Sequence, residues 1–393
     1  MTRNNHASER VGAGSFGDDV RFLDGHVGTV VLEDGDARVV IVPEWQGRVM
    51  TSTAGGDAGT SYGWINRSFI EKGELVPHMN VFGGEERFWM GPEGGQFSIY
   101  FPEGKPFEFE HWQVPAFIDT EPFTLTSHSD RSATFAGSAD LTNWSGTRFL
   151  VGVDRTVRLL SPIEMSSMLG VRVPEGVRAV AYESVNGVTN RGRQAWKKET
   201  GLLSVWMLCM FTPGPQTTVV IPFVEGDESQ LGPVYNDSYF GKAPADRLVV
   251  DDGVIYFRCD GEYRTKIGIK PSRVRPTAGS WDAARGVLTF VQFNKPAGAS
   301  DYVNSEWREQ DDPYAGDVVN SYNDGPTGPG QPPLGPFYEI ETSSPALALK
   351  PGERAVHIER VMHFEGDRAS LDAIAKQVLG AGLDRIEGVF AGN

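Results

Sequence analysis

Short runs in which apolar and polar side chains alternate recur along most of the chain, and a period of two marks strands with one buried face. In Tyr263-Arg-Thr-Lys-Ile-Gly-Ile-Lys270 the alternation puts Tyr263, Ile267 and Ile269 on one face and Arg264, Lys266 and Lys270 on the other. Across 356–364 it predicts Val356, Ile358, Met362 and Phe364 inward, with His357, Glu359 and His363 outward. Further strands are expected over 37–42, 97–101, 147–153, 157–160, 205–211, 217–223, 254–258, 287–294 and 337–342. One helix is signalled over 370–379, with Ser370 as its N-cap and Gly380 as its stop. So many strands and so little helical period imply an all-β chain folded as one large antiparallel β-sandwich with a short C-terminal helix.

All-β architectures of this size can surround one core, so the 393 residues are read as a single domain over 1–393, with residues 1–15 as a frayed N-terminus. The 47 Gly and 25 Pro follow no repeat, which suits many turns and excludes collagen. The richest Pro/Gly stretch, 325–336, lies between aromatic and acidic segments and reads as a functional loop rather than a linker.

A formal net charge of −16 repels nucleic acid and anionic membrane surfaces, so neither is expected as a partner. No signal-peptide core and no long apolar run is present, so the chain as given is expected to be soluble and cytoplasmic; a chain already trimmed of an export signal would read the same. Two cysteines, Cys209 and Cys259, cannot build a disulfide framework or a cysteine zinc site. No cofactor is expected. The acidic turns Asn236-Asp237 and Asp311-Asp312 lack EF-hand spacing, which leaves Ca²⁺ open without supporting it. Nucleophile-elbow, P-loop, zincin and dinucleotide motifs are absent.

Chemistry-bearing residues concentrate in two regions. The first, Pro77 to Gly95 followed by His111 to Pro115, brings His78, Asn80, Glu85, Glu86, Arg87, Trp89 and Glu93 near Trp112 and Gln113, with paired glycines at 83–84 and 94–95. Aromatic faces suit the C–H surface of a pyranose, and carboxylate, amide and guanidinium groups suit its hydroxyls. The second region holds Tyr322, Asn323 and Asp324, then Tyr338, Glu339 and Glu341. On a strand, Glu339 and Glu341 share a face with Cα atoms about 6.6 to 7 Å apart, a spacing that separates paired carboxyl pKa values and is compatible with inverting glycoside hydrolysis. Of the seven histidines, His78 is the first candidate proton donor and His363 the second. Asn190 could join such a pocket.

Three runs, 82–97 (Phe-Gly-Gly-Glu-Glu-Arg-Phe-Trp-Met-Gly-Pro-Glu-Gly-Gly-Gln-Phe), 321–326 (Ser-Tyr-Asn-Asp-Gly-Pro) and 337–345 with Pro351-Gly-Glu353, resemble an uncharacterised bacterial family of the galactose mutarotase-like superfamily, over roughly 63–379. The resemblance implies the superfamily's β-supersandwich and a carbohydrate ligand. It also implies aldose 1-epimerase-like acid/base chemistry, in which Glu341 is similar to the glutamate that takes the anomeric hydroxyl proton. The family's histidine has no counterpart, because Thr189-Asn190 is followed by Arg191. The candidate roles are therefore Glu341 as base, His78 as acid, Glu339 and Arg87 orienting, and Trp89 and Trp112 as platforms. A glycan lyase or glycoside hydrolase, and a carbohydrate-binding protein without catalysis, stand beside that reading.

Overall fold

The computed structural model describes residues 14–328 and 330–391. Most of the frayed terminus expected over 1–15, His6 included, falls outside them. Ser15 lies inside, and caps the helix Phe16–Asp24 by accepting from the Asp18 backbone amide.

Eighteen strands follow in chain order: β1 (Val30–Asp34), β2 (Ala37–Val42), β3 (Arg48–Thr53), β4 (Arg87–Gly91), β5 (Thr124–Ser129), β6 (Ser132–Thr142), β7 (Arg148–Leu159), β8 (Arg178–Asn190), β9 (Ser204–Phe211), β10 (Thr217–Pro222), β11 (Leu248–Asp251), β12 (Val254–Arg258), β13 (Thr265–Ile269), β14 (Thr277–Asp282), β15 (Val287–Phe293), β16 (Val319–Asn323), β17 (Tyr338–Ser343) and β18 (Arg354–Glu365). One layer is a ten-stranded sheet in the order β11-β12-β10-β14-β15-β18-β8-β7-β6-β5. The facing layer is a five-stranded sheet, β13-β16-β17-β9-β4, continued by the three-stranded β1-β2-β3 through the bridge Val49↔Glu86. Every strand pairing is antiparallel.

The main core lies between the layers, where Val153, Tyr182, Val188 and Val361 of the large sheet meet Met207, Cys209, Ile267 and Ile340 of the small one. A second cluster covers the other face of the large sheet. There Leu288, Phe290, Met362 and Phe364 pack under Leu371, Ile374, Leu379, Leu383 and Ile386 of the helices Arg368–Leu379 and Leu383–Gly388. The C-terminal helix begins two residues before the expected start, because Asp367 rather than Ser370 is its N-cap, accepting from the Ser370 amide at 3.0 Å.

These two coverings reverse the expected facing of β18. His357, Glu359 and His363 point into the sandwich with Val361 and are buried, while Met362 and Phe364 meet the helices. A strand covered on both sides cannot be oriented by polarity alone. The segment 97–101 is largely buried but irregular, a turn leading into bends rather than a strand; Ser98 Oγ takes up local backbone groups there. Both cysteines are free and buried. Among the described residues, no helix is long and apolar enough to cross a membrane.

Candidate functional site

The outer face of the five-stranded sheet forms the floor of a cleft of about 1100 Å³. Strand register sets which side chains stand there. Arg87 of β4 lies opposite Leu208 of β9, which lies opposite Glu341 of β17 and then Asn320 of β16. The neighbouring row runs Met210, Glu339, Tyr322 and Lys266, and Trp89 pairs with Trp206 in the next. Period two therefore aims Lys266 at the cleft while Ile267 and Ile269 enter the core, so the lysine expected on a solvent face is nearly enclosed.

The floor is a charge network. Arg87 pairs with Glu339, and its guanidinium lies 5.0 Å above the Trp89 ring. Lys266 Nζ lies 2.9 Å from the Glu341 carboxylate and within cation–π reach of Trp206 and Tyr239. Trp206 Nε1 donates to Glu341 Oε2 at 2.9 Å. Glu341 is consequently covered by Lys266 and Trp206 and is 1% exposed, whereas Glu339 lines the cleft. Burial pushes Glu339 up to about 7, against the pull of Arg87 and with the push of Glu341. Burial likewise pushes Glu93 up to about 7, opposed mainly by Lys266. Burial acts against the Lys266 ammonium, but Glu341, Glu93 and Glu339 outweigh it and raise its pKa.

A second polar group stands at the β16 end. Tyr239 donates to Asp317 at 2.6 Å and receives Asn320 Nδ2 at 3.1 Å, and burial raises the Asp317 carboxyl. Several buried polar atoms of cleft-lining residues have no protein partner among the described residues: Arg87 Nε, Trp89 Nε1, Ser204 Oγ and Asp317 Oδ1. Buried donors and acceptors are normally satisfied, which leaves these open to a partner from outside the protein.

Of the residues singled out from sequence, His78, Arg87, Trp89, Glu93, Trp112, Tyr322 and Glu339 line the cleft. His78 stands at the rim, half-buried and in a left-handed backbone conformation, its Nδ1 held 2.5 Å from the Trp112 carbonyl and its ring stacked on Phe109. Glu85, Glu86 and His363 lie on the opposite side of the sheet, inside the sandwich. Glu85 accepts from Ser52 Oγ at 2.7 Å and lies 3.1 Å from His363 Nε2, while Glu86 pairs with Arg155. Tyr338 also points inward, to Ser280 Oγ at 2.8 Å. Asn190 is spent on the Leu349 and Gln194 carbonyls, and Asn323 on the Tyr263 carbonyl and Asp260. Asp324 is buried, accepting from Tyr322 Oη and the Gly335 amide, and does not itself line the cleft. Asn80 is buried against Asp119, and exposed Gln113 ties down the His78 loop. Lys266, Trp206, Tyr239 and Trp307 also line the cleft, although none is among the site candidates read from the sequence; Lys266 opposite two isoleucines on a strand is the available signal.

The paired glycines serve packing rather than ligand approach. A Cβ at Gly83 would lie 2.3 Å from the Trp64 carbonyl oxygen, and one at Gly94 would lie 2.4 Å from that of Glu306. No group of three or more His, Cys, Asp or Glu side chains converges as a metal site among the described residues.

A family model, described as a family of unknown function (DUF6786), matches residues 14–390. The chain belongs to that family. No curated protein matches it. Among solved structures, this DUF6786 chain is similar to a putative aldose 1-epimerase from Escherichia coli K12, at 13% identity and a TM-score of 0.51, over 86% of this chain and 99% of that one. The Slr1438 protein from Synechocystis sp. PCC 6803 gives 14% identity and the same TM-score, over 86% and 96%. This chain thus shares the β-sandwich fold of those two structures, and identities this low carry the fold alone.

Proposed function

We propose that the protein is a carbohydrate-active enzyme that interconverts the anomers of a sugar by acid/base chemistry. The observation that carries this reading is that two cleft-facing carboxyls pushed to about 7, Glu339 and Glu93, stand around Lys266 under aromatic walls. A carboxyl near neutrality can both take and give a proton at working pH. Glu339, held by Arg87, accepts the proton of the anomeric hydroxyl; Glu93 donates one to the ring oxygen as the C1–O5 bond breaks. Rotation about C1–C2 and the reverse transfers close the ring on the other face. Lys266 stabilises negative charge developing on the anomeric oxygen. Glu341, buttressed by Lys266 and Trp206, positions Lys266 and is not itself the base in this scheme.

Trp89 and Trp206 offer apolar faces, and the unpartnered indole, guanidinium and hydroxyl atoms offer hydrogen bonds of both senses to sugar hydroxyls. The test is anomer relaxation followed by polarimetry or NMR across a panel of monosaccharides and reducing oligosaccharides. The protein should accelerate relaxation of at least one sugar, Glu339→Gln should abolish the acceleration while sugar binding persists, and unchanged relaxation throughout the panel would defeat the proposal.

A further inference from the structure

The cleft is wider than one sugar ring requires. Its volume of about 1100 Å³ exceeds the roughly 300–1,000 Å³ of pockets that enclose a drug-sized ligand. Its mouth is also where the molecule shows most of its exposed aromatic surface. Among the described residues the exposed aromatics are Phe109, Phe240, Tyr263 and Trp307, and three of these four line the cleft. Leu334, also exposed, joins them at the mouth. Apolar surface gathered at one concave place marks a contact with something.

On one wall the rings form a continuous strip. Phe109 lies 6.0 Å from Trp112, which lies 5.7 Å from Trp307, the planes inclined by 23° and 28°. The strip is held before any ligand arrives. The Trp112 amide donates to the Phe109 carbonyl, and the flanking Gln113 and Val114 amides bond Tyr100 and His78. Trp307 meets Phe101 edge-on, and Gln310 fastens its loop through the Asn304 and Glu306 carbonyls. The strip also touches the reactive floor, because the Trp112 and Trp307 side chains adjoin Glu93. Flat rings interleaved with polar Ser305, Glu306 and Arg308 suit alternating C–H and hydroxyl faces better than the apolar side chains of a protein segment.

We propose that the ligand is an oligosaccharide of several units, with one terminal unit at the Glu339–Glu93 centre and the following units laid along Phe109, Trp112 and Trp307. This rests on reading the cleft as a sugar site, and it adds a chain-length specificity that a free monosaccharide would not draw on.

Calorimetric titration with linear gluco-, manno- and galacto-oligosaccharides of one to six units tests it, on the full chain with Glu339→Gln to prevent turnover. For the preferred series, affinity should rise at least about tenfold between one unit and the longer members. Phe109→Ala and Trp307→Ala should each remove roughly fivefold of that gain, the size expected for losing one stacked ring. Phe109 is largely exposed, so its removal should leave the melting temperature without sugar unshifted, which separates loss of a platform from misfolding. Equal affinity for monomer and longest oligomer, or a length dependence unchanged in both ring variants, would overturn the extended site while leaving monosaccharide chemistry intact. Binding of no member of any series would overturn both readings.

Discussion

Glu359 offers the sharpest test of how the sandwich tolerates charge in its interior. It is fully buried on β18, accepts from Thr342 Oγ1 at 2.5 Å, and receives Cys209 Sγ at 3.2 Å. Burial, reinforced by nearby Glu86, pushes its carboxyl from 4.5 up to about 8. Between those two values the native protein holds a proton that the unfolded chain has released. Stability therefore falls as pH rises through this window, by about 1.4 kcal/mol per pH unit for one group, and the loss is complete above about 8. At pH 7 this amounts to roughly 3 kcal/mol relative to pH 4.5. Glu359→Gln removes that proton linkage while keeping the shape and one acceptor. Urea unfolding at a series of pH values should show the variant near wild type at about pH 5 and more stable by a few kcal/mol at about pH 8. The neighbouring His357 supplies an internal control. Burial lowers it to about 3, so the unfolded chain gains a proton first as pH falls below 6.5, and the acid-side loss of stability should persist unchanged in the variant. An identical slope for wild type and variant between about pH 5 and 8 would refute the assignment of a buried, protonated Glu359.

Two further outcomes follow from the same interior and from the cleft. Arg155→Met leaves the fully buried Glu86 carboxylate without its ion-pair partner and should destabilise the fold by about 3–5 kcal/mol, read as a lower urea midpoint at neutral pH. Because Glu339 must be ionised and Glu93 protonated, and both are pushed up to about 7, kcat/KM for anomer interconversion should be bell-shaped with its optimum near pH 7. Glu93→Gln should remove the alkaline limb together with most of the rate, and a wild-type profile flat from about pH 5 to 9 would contradict the pairing.

Strand positions were largely legible in the sequence because alternation and apolar runs report local geometry: β2 spans the expected 37–42, and β9, β10, β12, β15 and β17 fall within a residue of their expected bounds. What alternation could not report is what covers each face. Polarity placed His357, Glu359 and His363 outside and Lys266 in solvent; the first three are in the core and Lys266 is in the cleft. The cause is the same in both cases: another layer lies over the face that a two-layer reading leaves to water. Pairings across long sequence separations were equally out of reach. Arg87 finds Glu339 252 residues away and Glu86 finds Arg155 69 residues away, so the local reading left Glu85, Glu86 and Arg87 as one undivided cluster. The β geometry then sends Glu86 into the sandwich and Arg87 into the cleft.

That division also shows how the charged floor of the cleft is held on five strands. Along β17 the side chains alternate between the two environments: Glu339 and Glu341 stand under the cleft, while Ile340 packs in the core and Thr342 bonds His357 and Glu359 beneath. On β9, Leu208 and Met210 line the cleft, whereas Cys209 between them holds Glu359. The carboxyls that carry charge above the sheet are thus mounted on strands whose undersides are pinned by a second hydrogen-bonded layer. A shift of β17 by one residue would exchange Glu341 with Thr342 and bury an ion pair where a hydroxyl network now sits. The interior polar layer therefore fixes register as well as position, and it is register that decides which of the two glutamates lines the cleft, Glu339, and which is covered by Lys266, Glu341.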